Sequence, residues 1–172
     1  MGCDDLPMEG DAVHGWTPGK PTAFLATPAT ELYVMFSPDG RWIAYASNDT
    51  GAYEVYVRPF PGPGGPWRIS TGGGNFPRWS PTAHELLFIG SGGRVLFAPY
   101  TVVGDSFRAD KPQVWTPTGA VNLNTAYPYD IHPDGKRIAL AAAIDQTGVV
   151  QDKVVFMSNF VEHLKKTVGS KQ

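Results

Sequence analysis

The stretch Val34-Met-Phe-Ser-Pro-Asp-Gly-Arg-Trp-Ile-Ala-Tyr-Ala-Ser47 decides the fold. It reads as strand, tight turn, strand. In Ser37-Pro38-Asp39-Gly40 the proline presets φ, the aspartate bonds locally to the backbone, and the glycine accepts a positive φ. The residues that follow, Trp42–Ala46, are apolar without a break. A half-exposed strand alternates, so a continuous run predicts burial on both faces.

The stretch recurs twice: Pro77-Arg-Trp-Ser-Pro-Thr-Ala-His-Glu-Leu-Leu-Phe-Ile-Gly90 and Tyr129-Asp-Ile-His-Pro-Asp-Gly-Lys-Arg-Ile-Ala-Leu-Ala-Ala142. The anchor prolines Pro38, Pro81 and Pro133 stand 43 and 52 positions apart. The first spacing fits a four-stranded propeller blade of roughly 40–45 residues. The second calls for an insertion, which we place at 119–124. The middle turn, Ser80-Pro81-Thr82-Ala83, lacks the glycine. Either Ala83 is left-handed, at about 1–2 kcal/mol, or the turn is rebuilt.

Further strands follow each hairpin. Third strands are expected at Tyr53–Arg58, Arg94–Ala98 and Lys153–Met157, after turns rich in Asn, Asp and Gly. Outer strands are expected at Trp67–Ser70 and Gln113–Trp115, behind Pro66 and Pro112, which suit sheet edges. Thr22–Ala26 reads as one more outer strand. Asn159 and Glu162 form a capping-box pattern, and Val161, Leu164 and Val168 form a stripe, so a short C-terminal helix is expected. The fold class is all-β: about three four-stranded antiparallel blades of a partial β-propeller, at 31–71, 75–116 and 126–158, between an N-terminal tail (1–14) and a C-terminal helix and tail (159–172).

The segments Phe36-Ser-Pro-Asp-Gly-Arg-Trp42, Glu54-Val-Tyr-Val-Arg-Pro-Phe-Pro-Gly62, Ile69-Ser-Thr-Gly-Gly-Gly74 and Pro77-Arg-Trp-Ser-Pro81 resemble TolB-like propeller repeats. They are most similar to those in the C-terminal sensor-like regions of bacterial serine/threonine kinases. The resemblance covers about Gly15 to Leu164. It implies blades lying outside the cytoplasmic membrane, behind a kinase domain and a membrane span. The chain carries no glycine-rich loop, strand lysine or His-Arg-Asp set, so kinase activity is not implied.

Composition narrows the function classes. Gly (20) and Pro (16) are abundant among 172 residues, as many short strands and turns require. The net charge is −2 with no basic stripe, which argues against a nucleic-acid partner. No apolar run is long enough for a membrane span. Cys3 is the single cysteine, so no intrachain disulfide forms. Nothing resembling a signal peptide precedes it.

Catalytic patterns are weak. Gly90-Ser91-Gly92 lacks the spacing of a nucleophile elbow. Gly72-Gly73-Gly74 precedes a strand, whereas a phosphate loop precedes a helix. His14, His84, His132 and His163 lack paired zinc spacing. No cofactor is expected. The binding candidates lie on the first strand of each repeat. Arg78 and Asp130 align with Met35; they either pair with each other or face an axial channel and touch a ligand. Tyr33, Phe76 and Tyr129 are expected at the mouths of these strands, as binding aromatics or as core.

The expected function is a non-catalytic protein-interaction or ligand-sensing module. The alternative is a hydrolase or lyase with an axial pocket. Three blades fall short of the usual four to eight, so a homodimer of six blades is expected, with Thr22–Ala26 exchanged between copies.

Overall fold

A computed structural model describes residues 20, 23–116 and 128–141, and the backbone of 154–158. These residues form three antiparallel sheets and no helix. Sheet I is a meander of β1 (Glu31–Phe36), β2 (Trp42–Ser47), β3 (Glu54–Pro59) and β4 (Trp67–Arg68). Sheet II contains β5 (Gly74–Trp79), β6 (Glu85–Gly90), β7 (Arg94–Val103), β8 (Ser106–Ala109) and β9 (Gln113–Val114). Sheet III runs β10 (Tyr129–Ile131), β11 (Arg137–Ala141), β12 (Val154–Ser158).

The two Pro-Asp-Gly hairpins close as their sequence dictates. Gly40 N donates to Ser37 O and Gly135 N to His132 O, with both glycines at positive φ. Asp39 and Asp134 each accept from the backbone two residues on, at Arg41 N and Lys136 N. The middle turn is rebuilt: Ala83 stays out of the left-handed region, and its N–H donates to Ser80 Oγ at 3.2 Å. A side-chain oxygen thus replaces the backbone carbonyl that the other two turns use. The outer closing bond, Ser80 N to Glu85 O, is kept at 2.9 Å.

The uninterrupted apolar strands serve two cores at once. Leu86 and Phe88 of β6 meet Trp42, Ala44, Val55 and Val57 of sheet I. Leu87 and Ile89, on the other face, join Tyr129, Ile138 and Leu140 of sheet III. Sheet II is therefore dry on both sides, which a period-2 backbone achieves only with apolar residues at every position. Each fully buried side chain of this kind contributes about 1.5–3 kcal/mol.

Repeats one and two also close their outer edges alike. Ile69 N donates to Val55 O, and Trp115 N to Val95 O. The hydroxyls of Ser70 and Thr116 then accept from Val55 N and Val95 N.

The structure corrects two expectations. Residues 23–26 form no strand; Phe24 and Leu25 instead cover Ile43, Tyr45 and Tyr56 on the far face of sheet I. An apolar pair gains its burial by docking on an open sheet face as readily as by pairing at an edge. Also, β7 runs to Val103 and folds back as β8 around Gly104-Asp105. That hairpin carries Phe107 into the first core, beside Trp42 and Tyr100. Arg41 Nη2 donates to Gly104 O at 2.8 Å and ties it to sheet I. The expected insertion at 119–124, the tail at 1–14 and the C-terminal helix lie outside the described residues.

Candidate functional site

The first strands β1 and β5 carry the same irregularity at the same repeat position. In β1, Tyr33 and Val34 stand opposite Tyr45; in β5, Phe76 and Pro77 stand opposite Phe88. The first residue of each bulge is left-handed, at φ 57° for Tyr33 and 53° for Phe76. Aromatic residues rarely take that conformation, which costs about 1–2 kcal/mol each. The corresponding residue of the third repeat is Pro128. Its ring holds φ negative, and β10 pairs with β11 without a register shift.

The bulges aim the aromatics along one line. The Tyr33 and Phe76 rings lie 4.0 Å apart between centroids, and the Tyr129 hydroxyl donates to Phe76 O at 2.9 Å. Tyr33 is 36% exposed, whereas Phe76 and Tyr129 are buried. Of the three aromatics expected at the strand mouths, Tyr33 alone is at the surface, because the other two fill the space between sheets II and III. Burial pushes the Tyr129 phenol far above its usual range, with Arg78 opposing the shift and Asp130 adding to it. Its hydroxyl is thus a fixed neutral donor.

Beside this line, Met35, Arg78 and Asp130 meet as their alignment implies. They line a cavity of about 610 Å³, with Tyr129 and Leu140 between alanines 139 and 141 as apolar wall. Of the two alternatives for Arg78 and Asp130, the ion pair does not form. Arg78 Nη1 lies 3.0 Å from Met35 Sδ, and Asp130 Oδ1 accepts from Ile131 N at 2.9 Å. The separation follows from the pairing pattern: Arg78 stands opposite Leu87 on the face toward sheet III, whereas Asp130 stands opposite Ala139 on the far face of sheet III. A cation and an anion therefore line one apolar concavity without neutralising each other. Trp79 Nε1 donates to Met35 O at 3.2 Å and clamps the first strands of sheets I and II together.

A second concavity of about 410 Å³ shares Asp130 and Ala139 and adds His132 and Arg137. Asp134 lies near it, 2.9 Å from Arg137 Nε and 3.1 Å from His132 Nδ1. The Lys136 N–H, reinforced by Arg137 and His132, holds the Asp134 carboxyl down at about 2.

The Gly72–Gly74 loop is an anion cradle already filled from within. Glu54 is 3% exposed, and its Oε1 accepts from Gly72 N at 3.0 Å, Gly73 N at 3.2 Å and Arg68 Nη2 at 3.0 Å. Its Oε2 accepts from the Ser70 hydroxyl. A glutamate inside a buried strand is the signal that could have revealed this cradle, since buried charge demands partners. Ser91 sits in the β6–β7 turn. His84 stacks on Tyr100 at 5.3 Å. No group of three His, Cys, Asp or Glu is placed to hold a metal among the described residues.

No protein-family model matches the chain, and no curated protein matches it.

Proposed function

We propose that the chain is a non-catalytic ligand-sensing or protein-interaction module built from TolB-like propeller blades, and that it binds in the Arg78–Asp130 cavity. The observation carrying this reading is the convergence of Met35, Arg78 and Asp130, one position in three repeats, on a single concavity. The edge position of β1, β5 and β10 in their sheets, with the sheets packed face to face, supports propeller-type blades. The cavity's size lies in the usual range for small-ligand sites. Its lining favours a dipolar ligand, with an anionic group on Arg78, a cationic or donor group on Asp130, and an apolar body along Leu140.

The experiment is a binding screen of the full chain against dipolar small molecules and short peptides, read by thermal shift and calorimetry. R78Q and D130N are expected to weaken a hit about tenfold or more each, with the fold intact. Hits indifferent to both substitutions would overturn the assignment.

A second copy is the proposed partner. The face of sheet III bearing Asp130 and Ala139 is opposite the one packed on sheet II. Head-to-tail repetition of the contacts joining sheets I to II and II to III would place another copy's sheet I there, closing six sheets under two-fold symmetry. Exchange of residues 22–26 would have to lift Phe24 and Leu25 off Ile43, Tyr45 and Tyr56. Light scattering at micromolar concentration tests the assembly: a dimer is expected, and a well-folded monomer would refute it.

A further inference from the structure

Away from the Arg78–Asp130 cavity, the outer part of the cleft between sheets I and II holds a pocket of about 220 Å³. Thr71 and Gly73 border it from the loop leaving sheet I, and the β6–β7 turn and β9 border it from sheet II. Two cations line it, Arg94 and Lys111, together with the hydroxyl-bearing Thr71 and Ser91. Its floor is apolar, formed by Phe88, Leu96 and Val114. No carboxylate lines it, and neither Arg94 nor Lys111 enters an ion pair among the described residues. The nearby Glu54 carboxylate cannot serve them, because Arg68, Ser70, Gly72 and Gly73 occupy it.

Space in the pocket depends on glycine. A Cβ at Gly90 would collide with Leu96 Cδ1, which lines the pocket. The lining thus offers four donor-bearing side chains, two of them charged, and no side-chain acid.

We infer that this pocket binds a tetrahedral oxyanion, a phosphate or sulfate group, with Arg94 and Lys111 as its charged donors and Thr71 and Ser91 as its hydroxyl donors. Charge-assisted bonds of this kind are the strong ones. The apolar floor would hold the organic part of a phosphate ester.

The test is an amide NMR titration of the full chain with inorganic phosphate, inorganic sulfate and phenyl phosphate, at ionic strength matched with sodium chloride. Saturable shifts clustered at Thr71, Ser91, Arg94 and Lys111 are expected. R94Q and K111Q should each weaken binding about tenfold or more, with an unchanged thermal midpoint. Equal affinity for phosphate and phenyl phosphate assigns the free ion as the ligand, and tighter binding of phenyl phosphate assigns a monoester. Shifts that chloride reproduces, or affinities that both substitutions leave unchanged, would overturn the site.

Discussion

Substituting Glu54 tests whether the loop joining sheets I and II is held by an internal anion. The carboxylate takes four hydrogen bonds, from Arg68, Ser70, Gly72 and Gly73. Bonds to a charged acceptor are each worth about 1.5–3 kcal/mol. Two of the four are discounted: Gly72 is exposed and finds water when released, and the Arg68 side chain is 42% exposed and solvent-screened. Ser70 is fully buried and Gly73 half-buried, so their donors are stranded by truncation. E54A is therefore expected to cost about 3–5 kcal/mol. E54Q keeps the shape and one acceptor oxygen and should cost about 1–2 kcal/mol. At roughly 2–4 °C per kcal/mol for a chain of this size, the alanine variant should melt about 6–20 °C lower. Urea denaturation followed by tryptophan fluorescence measures both variants, and E54Q remains measurable if E54A falls near the unfolding threshold. An E54A cost below about 1 kcal/mol would refute the account of the loop, since so small a loss leaves no room for stranded donors.

Other outcomes follow from the same geometry. Tyr33→Asn should stay within about 1 kcal/mol of the parent in chemical denaturation, because relief of the left-handed strain offsets the lost Phe76 stacking. Gly74→Ala should destabilise by about 1–3 kcal/mol, since a Cβ there would lie 2.6 Å from the buried Ser70 Cβ; a neutral result in the same assay would contradict the packing. Asp134 should titrate near 2 by carboxyl NMR. Its folded value lies below the unfolded one, so its contribution is complete above about pH 4 and is lost as pH falls toward 2; D134N should remove that acid-side dependence.

How much was legible depended on whether a local rule operated. Pro38-Asp39-Gly40 and Pro133-Asp134-Gly135 fixed their hairpins because turn chemistry is local, and the apolar runs at Trp42–Ala46 and Leu86–Ile89 announced two-sided burial. The meeting of Arg78 and Asp130 at one cavity followed from alignment alone. Their failure to pair did not, because it rests on which face each strand turns to the cavity. The left-handed Tyr33 and Phe76 carry no sequence signal, since bulky aromatics are poor candidates for that conformation. Phe24 and Leu25 were misread as a strand because two apolar residues specify burial without specifying a partner. The β8 strand was not expected, since the third strand was placed at Arg94–Ala98, and its reach across to sheet I is a tertiary fact.

The β7–β8 hairpin has a consequence for how the molecule comes apart. Anchored by Phe107 between Trp42 and Tyr100 and by the Arg41–Gly104 bond, it belongs to sheet II by chain and to sheet I by contact. Opening either sheet exposes that ring, so amides of β2 and β6 should share one protection level in hydrogen exchange. Sheet III is tied to sheet II differently, by the Tyr129 hydroxyl on Phe76 O and by the second core.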